Sequence, residues 1–474
     1  MPRATNLLRH WIVVVFLLFP ILALAGILMR GVQSGRLDAL GAWFYPMMTL
    51  HGVGMVGLWY VAAMACATDI VTRATGATLA FGRLALVGTV AGVGLLLLSV
   101  LGGRFAAGWY FLYPLPMYGN WPAWATVAFL VSLTLLGATW LVWTLDLMRA
   151  IATRYRLHEA LGWHYLAGRD QPTLPPALLI ITVSLICSVA ALVAAVVLIV
   201  LFLVDIAGGG AADPLLMKNL TFFFGHTLIN LALYLGVAAV YDTLPEYAER
   251  PWRTNRVVAI SWNAVLLIVL IAYFHHLYMD FVQPGALQYI GQVASYASAI
   301  PAAIVTLFGA LLLVFRARMR WQAAPVLMYV GLAGWAIGGV GALIDSTISA
   351  NVRLHNTLWV PAHFHTYALA GMAFMVLGYF LHRWPGAAAT EVQDGRQRLA
   401  VGVMAVGAYG FFLMFYLAGA WSVPRRFANY PAELAHGATF AGFGALFALL
   451  FLAGFLAFAG AVLRRWRGTA AGAT

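Results

Sequence analysis

Seven of the twelve histidines in this chain lie within or at the ends of long apolar stretches. Ionisable side chains at membrane depth are costly, so each is a functional candidate. A backbone hydrogen bond explains any one of them equally well, and a carboxylate near the end of a stretch, such as Asp345, is ordinary. Seven histidines with few acidic partners are better explained as metal ligands, since neutral imidazole commonly binds iron, copper and zinc. They are His51, His226, His275, His276, His355, His363 and His365.

The spacing of these histidines indicates more than one site. His363 and His365 are two residues apart, so on a helix their side chains point about 200° apart. They cannot comfortably bind one metal, but they could bind two cofactors on opposite faces of one helix, which suits two haems side by side. His275 and His276 are consecutive and could approach one ion if the helix end loosens there. His226 is the predicted third ligand of that ion.

The elements that must position these residues are membrane-spanning helices. The 474-residue chain is 63% hydrophobic and 9% charged, whereas a soluble protein has about 25% charged residues. A span needs about 20 mostly apolar residues, and the apolar stretches favour helices over the short alternating strands of a membrane barrel. The predicted fold class is therefore an all-α integral membrane bundle of about 12 transmembrane helices. The stretches are 11–30, 46–69, 82–102, 121–145, 175–204, 216–245, 256–279, 288–316, 322–345, 357–382, 399–423 and 433–463.

The same composition excludes a soluble enzyme, a disordered tail and a nucleic-acid-binding domain. The sequence pI is about 9.9, but there is no basic stripe that would bind nucleic acid. Cys66 and Cys187 lie in apolar runs and are interpreted as small core residues. We predict one transmembrane catalytic domain over 1–474, with a helical core at 11–463 and a short cytoplasmic tail at 464–474.

The positions of the basic residues predict the orientation of the chain. With twelve spans, twenty of the 27 basic residues lie at the termini or in loops that follow even-numbered spans, and seven lie on the other side. The positive-inside rule therefore places both termini in the cytoplasm. The expected location is the cytoplasmic membrane of a bacterium or archaeon, where membrane lipid surrounds the bundle.

The chain resembles subunit I of the heme-copper oxidase superfamily, most closely its B-type branch. The resemblance covers essentially the whole chain and implies the twelve-span fold of that family. Five motifs carry it in the expected order: TLHG at 49–52, FGH at 224–226, HH at 275–276, HNTLWVPAHFH at 355–365 and VPRR at 423–426.

The resemblance implies a cofactor for each histidine group. A low-spin haem would lie between His51 and His365, and a high-spin haem would have His363 as its one protein ligand. A non-haem metal, copper by preference and iron as the alternative, would lie between three of the four remaining histidines. Its implied ligands are His226, His275 and His276, and the implied propionate contacts are His355, Arg425 and Arg426. Guanidinium groups suit carboxylates because they form paired charge-assisted bonds; the alternative for both arginines is snorkelling to the membrane surface.

Asn230 departs from the pattern of the oxygen-reducing relatives. Those proteins carry a tyrosine four residues after the histidine that corresponds to His226, and it supplies an electron and a proton. Asn230 lies one helical turn after His226 and is expected to face the same metal site. An asparagine has no accessible redox chemistry. In this respect the chain resembles proposed nitric oxide reductases of the B-type branch, whereas better-known nitric oxide reductases place a glutamate there.

The proton route of B-type oxidases looks interrupted in this sequence. Tyr241 matches one member of the expected chain of hydroxyl groups. The next tyrosine position is Val237, and the expected serine and threonine positions are Ala302 and Val305. Because an apolar side chain cannot relay a proton, this substitution pattern favours a reaction that needs no such route.

The leading hypothesis is a respiratory subunit that reduces two NO, a small gaseous substrate, to N2O and water. The alternatives are an O2-reducing terminal oxidase, with Tyr234 as a distant substitute tyrosine, and a haem-free membrane transporter. The resemblance also implies an electron donor, either a cupredoxin-like or a cytochrome subunit on the outer face.

Overall fold

The computed structural model describes residues 2–210, 212–279, 285–384 and 391–471. Over these residues the chain is helical, and its only β-type pairing is an isolated bridge between Thr357 and Pro424. Within the described residues, eleven helices are long and apolar enough to cross a membrane. The predicted all-α membrane fold is thus confirmed, with eleven such helices where about twelve were expected.

We number the twelve principal helices in chain order. They are α1 Pro2–Gln33, α2 Phe44–Thr75, α3 Gly82–Gly102, α4 Ala123–Ala152, α5 Pro176–Ile206, α6 Pro214–Ala248, α7 Arg256–Ile268, α8 Gly285–Val314, α9 Ala323–Ser346, α10 Trp359–Arg383, α11 Glu391–Ala420 and α12 His436–Ala471. The tail predicted at 464–474 begins inside α12, and residues 472–474 lie outside the described part of the chain.

Helix α7 accounts for the missing span. The apolar stretch predicted at 256–279 forms an α-helix only as far as Ile268, and a 3-10 helix, Ala272–Leu277, follows it. A 13-residue helix rises about 20 Å, which is shorter than the hydrocarbon layer. The 3-10 helix carries both histidines of the consecutive pair, so the regular α-helix has already ended where these two side chains lie.

Each helix packs its apolar side chains against its neighbours and turns others outward. The buried core runs through the whole bundle and contains Trp11, Trp143, Trp262 and Trp384. Large apolar side chains such as Leu17 (63% exposed) face outward, which suits surroundings of lipid and not of water. Both cysteines are free and buried, as expected.

Helix α10 changes its winding directly after His363 and His365. It is an α-helix over Trp359–His365 and a π-helix over Thr366–Ala373, and it returns to α-helix at Phe374. A π-turn inserts extra residues and rotates everything after it, and such turns are common at functional sites. In α10 the π-turn begins directly after the two histidines.

Candidate functional site: a histidine-lined cavity

His51 of α2 and His365 of α10 face one another across the bundle. Their ring centroids are 6.0 Å apart and their planes differ by 15°. His51 Nδ1 lies 2.9 Å from the Leu22 carbonyl oxygen, and His365 Nδ1 lies 2.7 Å from the Pro361 carbonyl oxygen. A carbonyl only accepts, so each Nδ1 carries the proton and each Nε2 keeps a free lone pair. The pair therefore presents two oriented imidazole lone pairs to a metal ion. A metal–nitrogen bond of this kind is about 2 Å long.

The position of His51 depends on a glycine in the neighbouring helix. A Cβ added to Gly26 of α1 would lie 2.6 Å from His51 Cε1 and 2.7 Å from its Nδ1. Only a residue without a side chain lets α1 pass this close to the ring while the Leu22 carbonyl, one turn earlier, holds it. The motif at 49–52 does not reveal this contact, because Gly26 lies on another helix.

We expect Gly26→Ala to displace the His51 ring and to reduce occupancy by any group bound between His51 and His365. Overpacking of this kind costs about 1–3 kcal/mol. The haem absorption of the purified protein per chain measures the effect. Gly94→Ala in α3 is the matched control, since nothing lies within 4 Å of an added Cβ there. Equal haem content in both variants would contradict the expectation.

His226, His275 and His276 form the one described group of three metal-ligating side chains that converge. Their ligand atoms all lie within 4.8 Å of one another. His275 Nδ1 contacts the Ala272 carbonyl oxygen at 2.6 Å and Ser295 Oγ at 2.9 Å. The Nδ1 proton is thereby fixed, and His275 Nε2 is buried without a hydrogen-bond partner. An orphaned imidazole nitrogen beside two other imidazoles fits a bound metal ion.

Asn230 contacts His226 and lines the same cavity. Its amide nitrogen lies 3.0 Å from the His226 carbonyl oxygen and 3.1 Å from His226 Nδ1. The residue one turn after His226 therefore does face the histidine ring. It can hydrogen-bond there, but it brings no acidic or redox-active group to the site.

His363 stands apart from the other histidines in its surroundings. It is buried, and neither of its ring nitrogens has a hydrogen-bond partner. Its Nε2 lies 3.6 Å from Asp345 Oδ2 at the end of α9. His363 and His365 follow each other on α10, and only His365 contacts His51, so the two rings serve different parts of the cavity, as their spacing predicted.

Arg425 and Arg426 lie in the loop between α11 and α12, and both line the cavity. Arg425 donates to Asn356 Oδ1 through Nη2 at 2.9 Å, and the Arg426 guanidinium lies 3.9 Å from the Tyr110 ring centroid. Burial and the neighbouring Arg426 lower the pKa of Arg425 to about 9. No carboxylate among the described residues forms an ion pair with either guanidinium. Two half-buried cations without an anion are a fitting site for carboxylate groups of a ligand.

A single cavity of about 650 Å³ connects all of these groups. Six of the predicted histidines and both arginines line it, together with Asn230. Its walls are otherwise mostly apolar, as is usual for a site that buries a large planar cofactor. The orphaned imidazole nitrogens, the unpaired guanidiniums and the apolar walls together fit haem groups and a metal ion.

Two predicted residues do not line the cavity. His355 follows the short helix Ile348–Leu354 and is partly exposed, and its predicted propionate contact stays a prediction. Tyr241 is buried on α6, where its hydroxyl lies 3.2 Å from Thr306 Oγ1. A π-turn at Ile304–Phe308 turns Thr306 toward Tyr241, so a hydroxyl is present one residue beyond the position inspected in the sequence.

The fold and the cavity define a class: a multi-span membrane protein whose helices hold histidines around one buried space, suited to redox cofactors. The chain matches the family described as Cytochrome C and Quinol oxidase polypeptide I over residues 6–459. It therefore belongs to that family, the heme-copper oxidase subunit I superfamily, and is an oxidoreductase subunit of the membrane. This membership argues against the haem-free transporter alternative.

Curated relatives carry the same family name at low identity. Cytochrome c oxidase subunit 1 of Synechocystis sp. is 26% identical over 404 residues, which are 82% of this chain and 70% of the relative. Cytochrome c oxidase subunit 1 of Thermus thermophilus is 27% identical over 271 residues, 52% of this chain and 47% of the relative. A solved heme-copper terminal oxidase dimer shares the fold, with a TM-score of 0.78 at 19% identity, over 98% of this chain and 84% of that one.

Proposed function

We propose that this chain is the catalytic subunit of a nitric oxide reductase, and that its six cavity histidines hold the cofactors. The proposed assignment gives His51 and His365 to a low-spin haem and His363 to a high-spin haem. The non-haem metal, copper by preference, has three imidazole ligands and no carboxylate, a set that suits copper at least as well as iron. These ligands are His226, His275 and His276. When bound, the cofactors supply the redox chemistry, in which two NO, two electrons and two protons give N2O and water.

The protein's own part in this reaction is to orient the histidine ligands and to balance the charge of the propionates. Backbone carbonyls fix the tautomers of His51, His365 and His275, so each presents one lone pair in one direction. Arg425 and Arg426 are proposed to bind propionates, and Asn356 and Tyr110 restrain the two guanidiniums. The apolar cavity walls keep bulk water away from a neutral, gaseous substrate.

The single observation that carries the choice of NO is Asn230. Its amide contacts His226 at the metal site, in the place where an oxygen-reducing relative is expected to have a tyrosine. O2 reduction to water takes four electrons at once, and an asparagine supplies none. Reduction of two NO takes two electrons, which the two metals of the site can hold between them.

O2 reduction remains the second candidate, because two observations favour it. The relatives named above are cytochrome c oxidase subunits. Two further tyrosines, Tyr234 and Tyr367, line the cavity, and Tyr367 comes from α10, so a tyrosine from another helix is available to the site.

The decisive experiment compares the two substrates on one purified sample. We expect anaerobic NO consumption with stoichiometric N2O and only slow O2 uptake. We also expect Asn230→Ala to lower NO turnover by about 10–100-fold, as for other partners of metal ligands, with both haem spectra retained. Asn263→Ala is the matched control, because the Asn263 side-chain amide donates similar hydrogen bonds to the Leu161 and Ala259 carbonyl oxygens away from the cavity. Rapid O2 turnover with negligible NO turnover would contradict the proposal.

The proposal also covers the orientation of the chain in the membrane and its electron donor. If the apolar stretch at 256–279 is counted as a twelfth crossing, the excess of arginine at the termini and alternate loops supports a cytoplasmic position for both termini, in a bacterial or archaeal cytoplasmic membrane. We propose a cupredoxin-like or cytochrome donor subunit on the opposite face as the partner, because the resemblance to the B-type branch implies such a donor.

A further inference from the structure

The imidazole of His363 lacks the backbone acceptor that orients its neighbours. His51, His365 and His275 each place Nδ1 within 2.9 Å of a main-chain carbonyl oxygen. His363 has no hydrogen-bond partner on either nitrogen, although it is buried. An oriented metal ligand almost always has a second partner on its other nitrogen. The partner of His363 must therefore be sought among side chains.

Asp345 is the side chain that faces His363. Its carboxylate is 1% exposed, and its Oδ2 lies 3.6 Å from His363 Nε2. No arginine or lysine among the described residues forms an ion pair with it, and its Oδ1 is buried without a hydrogen-bond partner. The charge of Arg425 acts on Asp345 without a direct ion pair, so the buried carboxylate still lacks a hydrogen-bond partner, which is costly. If the His363 imidazole and the Asp345 carboxylate pair, each gains the hydrogen-bond partner that it lacks.

The helix geometry places the carboxylate behind the ring. His363 lines the cavity, as do Val340, Leu343 and Ser346 of α9, but Asp345 does not. Asp345 therefore approaches His363 from the side away from the cofactor space. Gly341, one turn before Asp345, permits this approach, because an added Cβ there would lie 3.0 Å from His363 Cβ and would collide with the Tyr416 hydroxyl.

We propose that Asp345 is a positioning residue that accepts a hydrogen bond from the ring nitrogen of His363 not bound to iron. This inference rests on the proposed role of His363 as a haem ligand. In the structure the nitrogen that faces Asp345 is Nε2, and its separation of 3.6 Å exceeds a hydrogen bond. A half-turn of the imidazole about its Cβ–Cγ bond would bring Nδ1 to the Asp345 side and leave Nε2 free toward the cavity. A carboxylate acceptor raises the basicity of an imidazole ligand more than a neutral carbonyl does, and it therefore stabilises the ferric state. The two haems would thus differ in the acceptor behind their ligands, a carboxylate for one and carbonyls for the other.

The test replaces the carboxylate by an amide of the same shape. We expect Asp345→Asn to raise the ferrous-to-ferric ratio of the high-spin haem about tenfold at a fixed potential, which is 59 mV for a one-electron couple. The iron–histidine stretching band in resonance Raman spectra should shift to lower frequency. The potential of the low-spin haem should stay unchanged. Asp205→Asn removes the same charge at the end of α5, where the Asp205 carboxylate accepts a hydrogen bond from the Tyr113 hydroxyl, and it should move neither observable.

Four outcomes separate the possibilities. An unchanged potential and stretching band in Asp345→Asn would overturn the inference, as would equal shifts of both haems, which indicate a general charge effect. If the Asn variant fails to assemble, Asp345→Glu keeps the charge and displaces the oxygen, and its stretching band should lie away from the wild-type band; an unmoved band would overturn the inference. If the wild-type protein binds no high-spin, CO-reactive haem, the proposed function itself fails first.

Discussion

In the His365→Ala variant we expect the low-spin haem to be absent, and electron transfer into the site to fall by at least about 100-fold. Loss of an outer partner of a metal ligand already costs about 10–100-fold, and His365 is proposed as one of the two histidines that would hold the low-spin haem. The opposing His51 ring, 6.0 Å away, would face an empty position. The His363→Ala variant should behave differently, with the low-spin spectrum kept and CO binding lost.

Reduced-minus-oxidised absorption spectra and CO difference spectra measure these two variants. His436→Ala is the control, because His436 lies outside the cavity and its Nε2 contacts only the Trp421 carbonyl oxygen at 3.3 Å. The two neighbouring replacements should give complementary spectra, one for each face of α10. A His365→Ala protein with an intact low-spin haem would contradict the assignment of this pair.

In the His276→Ala variant we expect one equivalent of non-haem metal to be lost while both haems remain. His276 stacks on Phe222 and belongs to the group of three whose ligand atoms lie within 4.8 Å of one another. Two remaining imidazoles hold a metal less well than three, so turnover should also fall by at least about 100-fold.

Metal analysis per chain measures this loss and also identifies the metal as copper or iron. His164→Ala is the matched control, since His164 is buried but lies in a short helix remote from the cavity. If the metal content of the His276→Ala protein equals that of the wild type, the three histidines are not its ligands.

The membrane class and the histidine groups were readable from the sequence. Apolar stretches report burial in lipid directly, because every backbone polar group of a span must be satisfied within the helix. A spacing of two residues on a helix separates side chains by a fixed angle, so the different places of His363 and His365 followed without a structure. Asn230 was likewise expected to face His226, since a spacing of four residues returns to the same face.

The 3-10 and π-helical segments could not be predicted from the sequence in this way. The seventh apolar stretch looked like a full span, but its α-helix ends at Ile268 and a tighter turn presents the consecutive histidines. The sequence also showed apolar residues, Ala302 and Val305, at the expected serine and threonine positions of α8, whereas a π-turn in α8 brings the Thr306 hydroxyl to Tyr241. Such turns are decided by packing against neighbouring helices, and a uniform helical period cannot anticipate them.

The sequence by itself determined the compartment, the helical class, the family and most of the candidate ligands, because composition and short-range spacing carry that information. The tertiary structure decided which histidines share a site and what lies behind each ring. Gly26 against His51, and Asp345 against His363, are contacts between different helices. In the sequence Asp345 was an ordinary carboxylate near a span end. Its place beside His363 arises only because α9 and α10 approach closely enough to bring a buried carboxylate next to a buried imidazole.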